Sequence, residues 1–164
     1  MPDYPEKYSI RETVPTDYSG LVPIAAEVHM LHYAAHPSIF QPVERASPLP
    51  RVYFDELLAD DMSTIQVAEI AGAIVGFVIV KVFDTPPIET LVPRRILSIN
   101  SMVVTGAQRG KGIGQALVEA AIVWGRAKGA TTLELTVWEF NQRAKALYER
   151  LGLTTIYHKM QRNL

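Results

Sequence analysis

The sequence predicts an α/β protein with one twisted, mixed sheet of about six strands and helices on both faces. Three observations predict it. Thr64 to Ile70 and Ala73 to Phe83 are rich in β-branched residues and separated only by Ala71-Gly72, which signals an antiparallel hairpin. Ile96 to Val137 reads strand, helix, strand, and such a unit within one sheet makes a right-handed crossover between parallel strands. The whole order reads β, α, α, β, β, β, α, β, α, β, with no repeat and no low-complexity linker.

Each element has a local reason. Tyr8 to Val14 reads as a first strand closed by Pro15. From Asp17 to Ala35 the apolar residues Leu21, Ile24, Ala25, Val28, Leu31 and Ala35 recur at helical spacing. Pro23 kinks that stretch or marks a start within it. His36-Pro37 breaks it, and Ser38 to Pro50 is a proline-rich loop. Val52 to Ala59 carries a second helical pattern. Asp84 to Arg94 contains Pro86, Pro87 and Pro93 and reads as a loop. Ile96 to Val104 is a strand. Ile113 to Lys128 is the clearest helix: Ile113, Leu117, Ala120, Ala121 and Trp124 form its apolar face, and Gly129 stops it. Thr132 to Val137 alternates as a strand. Asn141 to Leu151 is a short helix with Asn141 as N-cap and Gly152 past its end. Thr154 to Met160 reads as a last strand.

Composition narrows the function classes. A chain of 164 residues, 48% of them apolar, fits one domain spanning 1–164 with a core of its own. It has no cysteine, which excludes disulfides, thiolate metal sites and a cysteine nucleophile, and suits a reducing cytoplasm. Sixteen basic residues against 17 acidic ones give a net charge of −1. That balance offers no electrostatic case for nucleic acid or an anionic membrane. The apolar runs are too short to span a bilayer. Met1 to Lys7 is polar and proline-punctuated, without the pattern of a signal peptide. The expectation is a cytoplasmic globular protein.

The chemistry concentrates in Gln108-Arg109-Gly110-Lys111-Gly112-Ile113-Gly114, between a strand and a helix. The first amides of a helix lack intrahelical partners and its dipole is positive there, so the position suits an anion. Gly110, Gly112 and Gly114 allow close backbone approach, and Arg109 and Lys111 add charge, a combination that suits a pyrophosphate. It is not a Walker loop, since Gly112 follows Lys111 where the motif needs Ser or Thr. Gln115 occupies the third glycine position of the dinucleotide fingerprint, so that fails too. Taken alone, the loop also suits an ordinary flexible turn.

With its flanks, the segment resembles the coenzyme loop of the GCN5-related N-acetyltransferase (GNAT) superfamily, Gln/Arg-x-x-Gly-x-Gly/Ala, through Arg109, Gly112 and Gly114 after a strand ending in Val103-Val104. A second signature follows: Asn141, Ala144, Leu147-Tyr148 and Leu151-Gly152-Leu153, where the family commonly has Leu-Gly-Phe. The match is close over Ile96 to Leu153, and looser over the rest of the chain. The resemblance implies the GNAT fold, acetyl-CoA as donor with no metal, and an amine acceptor on a small molecule, peptide or protein. It implies coenzyme contacts from Arg109, Gly110, Lys111, Gly112, Ile113 and Gly114 to the pyrophosphate, and from Met102, Val103 and Val104 to the pantetheine amides by added-strand pairing. The Met102 backbone amide would face the thioester carbonyl; its side chain reads as core. Asn141 would contact the pantetheine arm, a role compatible with capping a helix. Tyr148 would protonate the leaving thiolate, although a half-buried packing tyrosine gives the same letters.

The acceptor side is less defined. Members of that family often place a carboxylate near the donor strand, whereas here it reads Ser98, Ile99, Asn100, Ser101. In this fold the first helix and its loop wall the acceptor pocket, which makes His32, Tyr33, His36 and Phe40 candidate substrate-binding residues. His29, His32 and His36 share a helical face; no Asp or Glu completes a metal set with them, and polar surface or capped core accounts for them equally. His32 is the candidate general base. Thr154 to Met160 has no turn signal, so one terminal strand is expected where that family often carries a hairpin; an edge left that way suits a homodimer. The rival readings are a non-catalytic acyl-CoA sensor on the same fold and an unrelated nucleotide binder with a glycine loop.

Overall fold

The computed structural model describes residues 7–164; the leader expectation for Met1 to Glu6 lies outside them. The elements are β1 (Ser9–Glu12), α1 (Tyr18–Ala35), α2 (Arg51–Ala59), β2 (Ser63–Ile70), β3 (Ala73–Asp84), β4 (Arg95–Val104), α3 (Ile113–Ala127), β5 (Thr132–Leu135) and α4 (Gln142–Arg150). One sheet runs in the order β1-β2-β3-β4-β5. The first four strands pair antiparallel, and β4 and β5 pair parallel across the α3 crossover. Both topological expectations hold. No helix among the described residues is long and apolar enough to cross a membrane.

Two cores lie on opposite faces of the sheet. Leu117, Val118 and Ala121 of α3 pack on Val78, Val80, Leu97 and Ile99. Leu21, Ile24 and Ala25 of α1 and Phe54 and Leu57 of α2 pack on Ile65, Val67, Phe77, Ile79 and Val103. Pro23 lies inside a continuous α1 and neither starts nor ends it. As the sixth residue of α1 it leaves the Ser19 carbonyl without its usual i+4 donor, and the helix continues past it.

Two expectations are corrected. The sheet has five strands among the described residues, and Thr154 to Met160 forms none. Ile156, Tyr157 and Met160 are 73%, 68% and 92% exposed. A strand is stabilised only when a neighbour takes its backbone groups and a core takes alternate side chains, and within one copy this segment has neither. β4 also carries an irregularity in its pairing with β3. Ile79 pairs with Ser101 and Val80 with Ile99, so Asn100 is the extra residue of a β-bulge. The bulge reverses the alternation: Leu97 and Ile99 face α3, while Val103, beyond it, faces α1.

Candidate functional site

The bulge stands at the mouth of a gap. β5 pairs with β4 only from Ile96 to Ile99, so β4 from Asn100 to Val104 has no strand on that side among the described residues. The Thr105 amide donates to the Val75 carbonyl at 2.9 Å. Alternation along the strand then turns the Val103 amide toward β3 and the Met102 and Val104 amides toward the gap. The Met102 side chain packs in the α3 core.

The glycine loop closes one end of the gap. Gly110 and Gly112 have φ of 83° and 84°, the left-handed region where a Cβ is strained. Gly112 caps α3 without a side-chain bond, so the first-turn amides of Ile113, Gly114 and Gln115 keep their hydrogens for an outside acceptor. At Gly114 a Cβ would meet Leu147 Cδ2 at 3.3 Å and Met102 Cε at 3.8 Å; its smallness lets α3 approach both α4 and β4. Arg109 is turned inward. Its Nε donates to the Val104 carbonyl at 2.8 Å and its Nη2 to Glu27 Oε1 at 2.9 Å, and Glu27 Oε1 also accepts the Gly106 amide at 2.9 Å. Arg109 thus pins the loop to β4 and α1. Lys111 is exposed, and Arg143, which the sequence reading passed over, brings Nη2 to 3.5 Å from where a Gly110 Cβ would stand.

α4 lies beside the gap. Asn141 Oδ1 accepts the Ala144 amide at 3.1 Å, the expected cap, and its amide nitrogen is uncommitted by that bond. Tyr148 is 8% exposed and packed in the α3 core. Burial pushes its hydroxyl from 10.0 up to about 12, because the phenolate loses hydration there.

On the other face of the sheet a pocket of about 270 Å³ opens against Asn100 and Ser101. His29, His32 and Phe40 line it, as do Tyr53 of α2 and Trp138 of the β5–α4 loop. His32 sits among aromatic rings, with centroids 5.3 Å from Phe40, 5.4 Å from Phe140 and 6.2 Å from Trp138. Its Nδ1 is 2.8 Å from the Val28 carbonyl. A carbonyl only accepts, so Nδ1 carries a proton, and Nε2 is the nitrogen left without that partner. His29 is opposite in sense: its Nε2 donates to the Gln41 carbonyl at 2.6 Å. His36 stacks on Trp138 at 5.1 Å outside the pocket lining. Tyr33 is exposed and is not part of the lining. The structure therefore brings His32 and Phe40 together and leaves Tyr33 apart. Trp138 and Phe140 went unread in the sequence; their only signal is two aromatic residues flanking Glu139 just before the Asn141 cap. Among the described residues no group of three or more His, Cys, Asp or Glu is placed to hold a metal ion.

Comparison with known proteins gives this geometry its context. The chain is 35% identical over 102 residues to an uncharacterized N-acetyltransferase of Methanocaldococcus jannaschii, spanning 62% of this chain and 44% of that protein. It is 34% identical over 96 residues to another from Archaeoglobus fulgidus, spanning 58% of this chain and 63% of that one. The matches thus leave more than a third of each curated relative uncovered. A mutant of the BH1408 protein from Bacillus halodurans superposes with a TM-score of 0.89 at 30% identity, over 95% of this chain and 99% of that one. The aminoglycoside N-acetyltransferase AAC(6')-Iy, solved with CoA, shares the fold with a TM-score of 0.73 at 14% identity, over 95% and 98% of the two chains. The profile of the acetyltransferase (GNAT) family matches residues 27–153, which takes in the glycine loop, the open edge of β4 and Tyr148; the chain belongs to the GNAT acetyltransferase family.

Proposed function

We propose that this protein transfers the acetyl group of acetyl-CoA directly to the nitrogen of an amine. The observation that carries the reading is the gap beside β4: inward-facing Met102 and Val104 amides at one wall, uncapped α3 amides at its end, and a buried tyrosine beside it. A pantetheine arm presents amides of its own and fits such an edge as an added strand. The pyrophosphate takes the amides of the Gly110–Gly114 loop, with Lys111 and Arg143 as its cations and Arg109 holding the loop in place. Asn141 faces the pantetheine while it caps α4.

In the reaction the amine nitrogen forms a bond to the thioester carbonyl carbon. The Met102 amide stabilises the oxygen as it gains charge. The tetrahedral intermediate then breaks its C–S bond, and the electron pair leaves on sulfur. The nitrogen's proton goes to His32 Nε2, directly or through water. Tyr148 meets the departing sulfur as a donor. A hydroxyl at about 12 opposite an ordinary thiol near 8.5 makes complete proton transfer uphill by about 5 kcal/mol. Its contribution is therefore the hydrogen bond to the thiolate, sharpening the general-acid role.

The test is thiol release from acetyl-CoA with a panel of amines, beside melting shifts with CoA, ATP and NAD. Transfer to an amine with a CoA-specific shift supports the reading. A CoA shift without transfer favours a sensor, and a shift with ATP or NAD alone favours a different nucleotide binder.

The homodimer belongs to the same proposal. Among the described residues the outer edge of β5 has no neighbour in the sheet, and the exposed segment after α4 carries Ile156, Tyr157 and Met160. A second copy's segment laid on that edge satisfies both. Light scattering of the whole chain should give a dimer, and removal of residues 154–164 should give a monomer; a monomeric whole chain rules the arrangement out.

A further inference from the structure

We infer that the acceptor is a monoamine on a compact, uncharged apolar body, aryl or branched alkyl; this rests on the proposed transfer reaction and names its substrate class. The lining of the pocket beside Asn100 and Ser101 contains no Asp, Glu, Lys or Arg. Its walls are the rings of Phe40, Tyr53, Phe77 and Trp138 with aliphatic neighbours, and its other polar side chains are His29, His32, Asn100 and Ser101.

That inventory discriminates by charge. An acceptor with a second ammonium would bury it with no carboxylate to meet it, at a cost of several kcal/mol. The cation nearby, Lys81, stands 5.9 Å from the Tyr53 ring centroid, outside the lining, and opposes a further positive charge. A carboxylate or phosphate on the acceptor finds no cation within the walls. The reacting nitrogen is different, because it arrives as an ammonium and must lose that charge. Trp138 and Phe40 pack edge to face, 5.1 Å apart by centroid, and an aromatic wall of this kind attracts an ammonium that approaches over a ring face. They hold it without the strong partner that would oppose its deprotonation by His32.

Size points the same way. About 270 Å³ is just under the ~300 Å³ at which ligand pockets usually begin. One ring with a short chain fits, and an oligosaccharide does not.

The experiment compares kcat/KM for phenethylamine, isoamylamine, phenylalanine, spermidine, kanamycin and a peptide with an N-terminal Phe, with CoA melting shifts alongside. Phenethylamine and isoamylamine should exceed phenylalanine, which differs from the first only by a carboxylate, by tenfold or more, and should exceed spermidine and kanamycin equally. Trp138→Leu, folded by its melting curve, should raise KM for phenethylamine about tenfold and leave KM for acetyl-CoA unchanged. A preference for phenylalanine, spermidine, kanamycin or the peptide overturns this inference and leaves the transfer reaction standing. A CoA shift with no transfer to any amine overturns the transfer reading itself and this inference with it.

Discussion

On the two sides of β4 the molecule builds its site from different materials. The proposed donor side is backbone: two strand amides, a run of uncapped helix amides, and glycines with left-handed torsions or no room for a side chain. The proposed acceptor side is side chains, with rings from α1, α2, β3, the loop after α1 and the β5–α4 loop converging on one pocket. The difference follows from the ligands proposed for the two sides. Acetyl-CoA is the same molecule for every enzyme that uses it, and main-chain groups grip its phosphates and amides without needing particular side chains. An acceptor varies, and only side chains can be exchanged without disturbing the sheet. The bulge at Asn100 divides the two materials, because it turns β4 over just where one side ends and the other begins.

Substitutions should separate the two sides. The largest effect is expected at Tyr148. Tyr148→Phe removes the hydrogen bond to the departing sulfur and should lower kcat about 100-fold or more, as removal of a transition-state donor does, with KM for acetyl-CoA little changed; steady-state kinetics decides it. His32→Ala should lower kcat about 100-fold by removing the proton acceptor, and should change the pH–rate profile. His29, with Nε2 committed to the Gln41 carbonyl, serves as the control. An unchanged profile in the His32 variant would exclude it as the base.

A backbone effect comes next. At Gly76 a Cβ would stand 2.7 Å from the Val103 carbonyl oxygen, a contact with no flexible partner to yield. Gly76→Ala should therefore cost about 1–3 kcal/mol of stability by forcing β3 from β4, measured by urea denaturation, and should weaken acetyl-CoA more than the amine. Glu27→Gln should be milder. It loosens the hold on Arg109 and the Gly106 amide, and the partly exposed pair is screened, so KM for acetyl-CoA should rise about fivefold, equivalent to roughly 1 kcal/mol, with kcat unaffected.

An effect confined to high pH is expected in alkaline stability. The hydroxyl of folded Tyr148 lies near 12, above its ordinary 10.0, so the folded state holds that proton more tightly than the unfolded one. The resulting stability is complete below pH 10 and is lost as pH rises toward 12, by at most about 3 kcal/mol. Tyr148→Phe should remove that part of the alkaline loss in denaturation measured across the window.

Much of this was legible along the chain. The α3 helix with its apolar face, the Ala71-Gly72 hairpin, the crossover and the Asn141 cap each depend on residues within one element or one turn of each other. The glycine loop was readable for the same reason. The role of Arg109 was not, since its partner Glu27 lies far away in sequence, and an arginine beside glycines reads naturally as a phosphate ligand. The last strand was misread because β propensity says what a segment can form, while pairing needs an edge within reach.

The sequence by itself determined the elements as far as α4, their order, the parallel crossover and the glycine loop, all of them fixed by local periodicity, torsional preference and spacing, and it carried the resemblance that rests on Asn141 and Tyr148. Only the tertiary structure decided that β4 parts from β5 at Ile99, that Asn100 bulges, that Phe140 packs on the His32 ring, and that Trp138 joins His32 in a pocket without Asp, Glu, Lys or Arg in its walls. A bulge is one residue of mismatch between two strands, and a pocket is a meeting of distant segments. Neither leaves a periodic mark on the chain, because each is set by how the packed sheet twists and where its neighbours stop.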